Sequence, residues 1–279
     1  MEALLLGNDV DVDSDVDSDI YSDDDSKKVA LITGAAGGIG AATMGKYIND
    51  TDFTVLALDI NQEALENTAS NYSEEQRSRI HTVVIDLTDS RAVSAVLVPL
   101  LDRTGTLHHV VISHAISHDN DITDNDKWDR ILDVNLHSSQ RLLSLLAHYI
   151  CDGGRVIVVS SILGRVGKAT NTAYVSSKHA LLGLVKALAM DWASREITVN
   201  AVLPSWVDTP MLRRELEPQA AFLGLTIKQM LRRIKKRIPL RQLISSENVA
   251  DTIMFLSSPA ANMITAQSIV IDGGSGCGI

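Results

Sequence analysis

Cysteine is almost missing from this chain: Cys151 and Cys277 are the only two in 279 residues, too few for a disulfide framework. No apolar run is long enough to span a bilayer, and Met1 to Asp9 lack the basic region and apolar core of a signal peptide. A cytoplasmic location without a membrane partner is therefore expected. There is also no surplus of positive charge, with 25 Lys and Arg against 35 Asp and Glu. Ten of those acids fall in Met1 to Ser26, where there is no Lys or Arg, so the formal net charge of -10 belongs to that segment and the rest of the chain is balanced. A balanced body lacks the broad basic footprint that nucleic acid requires, and no nucleic-acid partner is expected.

What is present divides near residue 27. Residues 1–26 alternate Asp with Val and Ser from Asp11 to Asp19, offer too little apolar surface to offset chain entropy, and are predicted to form a disordered acidic tail. Alternating Asp can suggest calcium, but the glycine turn and closing Glu of a calcium loop are absent, and no metal site is expected. Residues 27–279 read as one domain. Short β-branched runs at Lys28 to Thr33, Thr54 to Asp59, Thr82 to Asp86, His109 to Ser113, Arg155 to Ser160, Thr198 to Val202 and Ser268 to Ile271 alternate with amphipathic helical stretches. Strands joined by helical crossovers form parallel sheets, so the pattern predicts a doubly wound α/β (Rossmann) fold: seven parallel strands with helices on both faces.

The first strand runs into Thr33-Gly34-Ala35-Ala36-Gly37-Gly38-Ile39-Gly40, and a helical stretch follows at once. Glycines there let the backbone turn tightly and approach a pyrophosphate, whose charge the amides and dipole of a helix N-terminus stabilise. Gly34, Gly38, Ile39 and Gly40 are therefore candidate cofactor contacts. The second strand ends at Asp59, about 20 residues past the glycines, where a carboxylate can accept hydrogen bonds from the adenosine ribose. The 2′-phosphate of NADP would be repelled there, and no Lys or Arg sits in the glycine turn or directly after Asp59 to neutralise it, so NAD is the expected cofactor. Asp86, with Leu87 beside it, is placed to meet the adenine edge.

Tyr174 and Lys178 stand four apart on the helical stretch from Thr172 to Met190 and share one face. Ser161 follows the fifth strand, on the carboxyl edge of the sheet where doubly wound proteins place their ligands. A phenol near a lysine ammonium, with a hydroxyl to hold an oxygen, suits acid and base work on an alcohol or ketone, because the ammonium and a cationic nicotinamide both favour the phenolate. Asn135 lies within the helical pattern Ile131 to Leu145, where Asn competes with helical geometry, and predicts a kink that could hold a water near Lys178.

Taken together, residues 28 to 274 resemble the short-chain dehydrogenase/reductase family. Thr33 to Gly40 resembles its cofactor turn, Asn135, Ser161, Tyr174 and Lys178 its active-site set, and Asp272-Gly273-Gly274 its C-terminal ending. The resemblance implies that Ala115 lies against the cofactor, that Pro204, Val207 and Thr209 belong to the loop holding the nicotinamide carboxamide, and that the chain forms a homotetramer or homodimer. Ser113-His114-Ala115-Ile116 replaces the family's Asn-Asn-Ala-Gly, while Ser205 and Ala266 stand where it often has Gly. The reaction implied is NAD-dependent hydride transfer to or from the carbinol or carbonyl carbon of a small alcohol or ketone. Two alternatives stay open: a ketoreductase acting on a carrier-protein thioester, to which the basic run Arg232 to Arg237 points, and a catalytically idle NAD-binding sensor module. Residues 205 to 238 break the strand and helix alternation with much apolar surface and are predicted to form a mobile substrate lid, with Met211 and Phe222 over the substrate.

Overall fold

The computed structural model describes residues 27–276; the acidic tail and Cys277 lie outside the described residues. Strands β1 (Val29–Thr33), β2 (Thr54–Asp59), β3 (Ile80–Val84) and β4 (Leu107–Ile112) alternate with helices α1 (Gly38–Asp50), α2 (Gln62–Ser70), α3 (Glu74–Arg77) and α4 (Ser90–Thr104). After β4 come α5 (Asn125–Leu132), a single π-type turn at Asp133–His137, and α6 (Ser138–Leu146). Then follow β5 (Ile150–Val159), α7 (Thr172–Asp191), β6 (Thr198–Pro204), α8 (Pro210–Phe222), α9 (Ile227–Arg237), α10 (Ser246–Ser257) and β7 (Ser268–Ile271).

The seven strands form one parallel sheet in the order β3-β2-β1-β4-β5-β6-β7. Alternation along each strand divides the core between the two faces. Leu31, Leu56, Val110 and Val156 point to a layer closed by α4, α6 and α7, while Ala30, Ile32, Val55 and Ile157 point to a layer closed by α1 and α10. Because both faces are covered, β1 (VALIT) is buried at all five positions and carries no polar alternation. Each fully buried aliphatic side chain contributes about 1.5–3 kcal/mol relative to exposure, so this doubly covered sheet is the main source of stability.

Segment 205–238 folds outside these layers. Leu212, Leu216 and Ala220 of α8 pack against Met230 and Ile234 of α9 and against Ile238, forming a third, small apolar cluster. Arg232, Arg233, Lys235, Lys236 and Arg237 are exposed on the far side of α9, as helical spacing dictates.

Candidate active site

The strand order reverses between β1 and β4, so the loops after these two strands diverge and leave a crevice at the carboxyl edge. A cleft of about 660 Å³ opens there. Gly34 begins the turn after β1 with φ +65 and lies against the backbone of His114, where a Cβ would come within 3.0 Å. A Cβ on Gly40 would sit 2.1 Å from the Gly34 carbonyl, which is why the helix can start this close to the strand. Gly37 is the N-cap of α1 and offers no side-chain cap, so the first-turn amides are left for a ligand. Nothing lies within 4 Å of where a Gly37 side chain would stand. Open space over uncapped amides fits a dinucleotide pyrophosphate.

Asp59 lines this cleft and accepts hydrogen bonds from Ala36 N (3.0 Å) and Asn61 N (2.9 Å), which ties the glycine turn to the end of β2. Asp86 and Leu87 line the same half. Against the burial that would raise it, the Thr88 amide and hydroxyl and the charge of Arg130 hold the Asp86 carboxyl below its usual range. Ala115, Pro204, Val207 and Thr209 line the cleft as well, and Thr209 also caps α8 through Leu212 N.

The His114 substitution has a structural use. Its Nδ1 pairs with Thr33 Oγ1 (2.7 Å) and its Nε2 with Ser138 Oγ (2.9 Å), joining β1 to α6. Burial and the charge of Lys178 lower its pKa to about 4, so it is neutral near pH 7. Asn135 sits on the π-type turn, and its side chain is spent on neighbours rather than on Lys178. It accepts from Ile116 N (2.8 Å) and donates to Ile116 O (3.0 Å) and Ser177 Oγ (3.1 Å). Asn135 thus clasps the loop that carries Ala115, and its own side chain does not line the cleft.

Ser161, Tyr174 and Lys178 converge on the cleft. Ser161 follows β5, and its Oγ accepts from Leu163 N (3.1 Å). Tyr174 is in the first turn of α7, whose start is fixed by Asn120: its side chain accepts from Ala173 N (3.2 Å) and donates to Thr172 Oγ1 (2.8 Å). One turn on, Lys178 is buried, donates to Val159 O (3.0 Å), and holds its Nζ 5.5 Å from the Tyr174 ring centre. Burial lowers the Lys178 pKa to about 8. Burial first, and then the charge of Glu215, raise the Tyr174 pKa, against the neighbouring Ser161 hydroxyl. What the three side chains can do chemically is hold an oxygen and exchange a proton with it.

Helix α8 closes the other side of the cleft with Met211, Leu212, Arg214 and Glu215. Phe222 does not take part: it is 90% exposed at the far end of α8.

A family model described as Enoyl-(Acyl carrier protein) reductase matches residues 34–276. The chain belongs to the short-chain dehydrogenase/reductase family. It is 32% identical over 251 residues to the 3-oxoacyl-(acyl-carrier-protein) reductase of Thermotoga maritima, covering 88% of this chain and 97% of that one. Among solved structures, 4-hydroxyisoleucine dehydrogenase complexed with NADH superposes with a TM-score of 0.79 at 27% identity, over 91% of this chain and all of that one. An actinorhodin polyketide ketoreductase with NADPH superposes with a TM-score of 0.80 at 26% identity, over 90% of this chain and 97% of that one. Like its family, this dehydrogenase/reductase is an oxidoreductase acting on CH–OH or C=O groups. Its relatives include both NADH and NADPH complexes, so membership alone does not select a cofactor. Among the described residues no helix is long and apolar enough to cross a membrane, and no group of three or more His, Cys, Asp or Glu could hold a metal ion.

Sequence reasoning missed Asn120, Lys168, Asn171 and Glu215. Asn120 acts on α7 from more than fifty residues away, and Lys168 pairs with Asn171 Oδ1 at 3.1 Å in an irregular loop, so neither had a local signal.

Proposed function

We propose that the protein is an NAD-dependent oxidoreductase that interconverts a small alcohol and its ketone. The observation that carries this reading is the convergence of Ser161, Tyr174 and Lys178 on the same cleft as the uncapped N-terminus of α1. The glycine turn, Asp59, Asp86, Leu87, Ala115, Pro204, Val207 and Thr209 would hold the dinucleotide, which supplies or takes the hydride when bound. In the reducing direction, Ser161 Oγ donates a hydrogen bond to the substrate carbonyl oxygen. Tyr174 Oη passes its proton to that oxygen as the carbon becomes tetrahedral, and Lys178 steadies the phenolate left behind. Asn135 acts at one remove by fixing the Ile116 loop. Trp206 and the N-terminal half of α8 cover the substrate and exclude water, with segment 205–238 as the lid.

NAD rather than NADP is supported by Asp59, whose carboxylate stands at the end of β2 with no cation in the glycine turn. The half-exposed apolar edge strand Ile269-Val270-Ile271 and the exposed Met190 on α7 favour assembly into a homodimer or homotetramer.

The test is turnover of NADH across a panel of ketones, with Tyr174→Phe as the control. Loss of several hundred-fold or more in turnover with NADH binding retained is expected, because Phe keeps the ring and removes the transferable proton. Near-normal turnover by Tyr174→Phe would overturn the mechanism. A second reading, reduction of a carrier-bound 3-oxoacyl thioester, is favoured by the exposed basic face of α9 and by the activity that names the Thermotoga relative. Including a 3-oxoacyl thioester, free and carrier-bound, in the same panel separates the two.

A further inference from the structure

We infer that the basic face of α9 is a docking surface for the acidic segment Asp11 to Asp19 of the same chain. This does not depend on the reaction assigned to the cleft. Three observations carry it.

The first is a helix whose charge has no answer in the fold. α9 (IKQMLRRIKKR) contains no Asp or Glu, while Lys228, Arg232, Arg233, Lys235, Lys236 and Arg237 are all exposed. None of the six is in an ion pair among the described residues. The helix dipole favours cations in the last turn, Lys235 to Arg237, but gives no reason for Lys228, Arg232 and Arg233. Lys228 and Arg232, Arg232 and Lys236, and Arg233 and Arg237 stand four apart, so like charges repel along the face. The residues that α9 buries, Met230 and Ile234, lie on its other side.

The second is where the opposite charge stands. The ten acids of residues 1–26 have no Lys or Arg among them, and the rest of the chain is balanced. Asp11, Asp13, Asp15, Asp17 and Asp19 alternate with Val and Ser. Drawn out as a strand, such alternate residues recur about every 6.6 Å, and Lys228, Arg232 and Lys236 recur about every 6 Å along the helix axis. The two rows of charge have nearly one period. Phe222 (90% exposed) and Leu223 (51%), just before α9, offer apolar surface to the Val side chains of the same segment.

The third is reach. β1 and β6 are three strand spacings apart, so from the start of β1 to the carboxyl edge of β6, where α8 and α9 follow, is on the order of 30 Å. Residues 11–27 can span up to about 55 Å.

Neutralising α9 relieves its internal repulsion and steadies the cluster it forms with Leu212 and Leu216 of α8, the helix that lines the cleft. Ionic strength would then act on the lid, and the occupied face would be closed to any other acidic partner.

The full-length chain tests this. A carbodiimide joins a carboxylate directly to a lysine amine and so traps ion pairs, which mass spectrometry of the linked peptides identifies. We expect links from Asp11–Asp19 to Lys228, Lys235 or Lys236 in at least about tenfold excess over links to the exposed Lys186 of α7, and their loss in about 0.5 M salt. Arg232→Gln with Arg233→Gln leaves those three lysines in place and should lower the yield several-fold, which nearness alone would not. Replacing Asp11, Asp13, Asp15, Asp17 and Asp19 by Asn should speed hydrogen exchange in α9 several-fold. Equal linking to Lys186, yields indifferent to salt, or unchanged exchange in α9 would overturn the inference. Links between isotope-labelled and unlabelled chains would move the segment to a second copy, and an absence of links to α9 would leave the face to a separate acidic partner such as a carrier protein; either result overturns docking within one chain.

Discussion

Replacing Asp59 by Asn should nearly erase the discrimination between NAD and NADP, and the structure says how large the change should be. Asp59 does two things in the proposed reading: its charge would face the adenosine ribose, and its two oxygens accept from Ala36 N and Asn61 N. Asn keeps one acceptor oxygen and turns an NH2 toward the other amide, so one of these bonds is lost, at about 0.5–1.5 kcal/mol. That loss loosens the glycine turn for both cofactors alike. The charge term differs between them. A carboxylate about 4 Å from a phosphate charge costs roughly 4 kcal/mol at an effective dielectric of 20, and screening leaves about half, or about thirtyfold in relative affinity. Arg130, which lines the cleft with Asp86, donates to Thr88 Oγ1 (3.4 Å) and would have to leave that bond to offset it. The assay is kcat/KM for NADH and NADPH with one ketone, in wild type and Asp59→Asn. Wild type should prefer NADH by at least about tenfold, and the ratio should move toward NADPH by roughly thirtyfold in the variant. Equal use of the two cofactors by wild type, or a parallel loss for both in Asp59→Asn, would refute the reasoning, because the first denies the repulsion and the second leaves only the turn.

Other substitutions probe the rest of the site and its frame. Ala266 holds a left-handed φ of 58 while its amide donates to Val199 O, so Ala266→Gly should raise stability by roughly 0.5–1 kcal/mol in thermal or denaturant melts; a lower melting temperature would show that the strain is absent. His114 and His109 are buried with pKa values of about 4 and about 3, below the usual 6.5, so the unfolded chain binds more protons than the fold between those values. Stability should therefore fall as pH drops below 6.5, and less steeply in His114→Asn; identical slopes would show that His114 does not titrate on unfolding. Met211→Ala should change which ketones are accepted, whereas Phe222→Ala should leave substrate selectivity as it is, and a selectivity change from Phe222→Ala alone would place the substrate elsewhere on the lid.

The fold could be read from the sequence because burial on both faces leaves β-branched runs with nothing polar between them, as in Val29–Thr33 and Thr54–Asp59. Boundaries slipped where composition and pairing disagree. Strand β5 starts at Ile150 rather than Arg155, because Ile150 pairs with Leu107 before the register shifts, yet Asp152-Gly153-Gly154 reads as a turn. The site divides the same way. The glycine turn, Asp59, Tyr174 and Lys178 were visible because their geometry is local: a turn, a strand end, one helical repeat. Asn120 at the start of α7 and Glu215 on the wall of the cleft were not, since only tertiary packing brings them there.

Phe222 shows how a correct pattern can still mislead. At 100° per residue it falls on the same stripe of α8 as Met211 and Glu215, so helical phase alone assigns it to the substrate. It lies eleven residues beyond Met211, however, about 16 Å along the axis at 1.5 Å per residue, and the cleft does not reach that far. Phase selects a face and length selects the part of that face that is used. The part of α8 that lines the cleft is its first turn and a half, from Pro210 to Glu215.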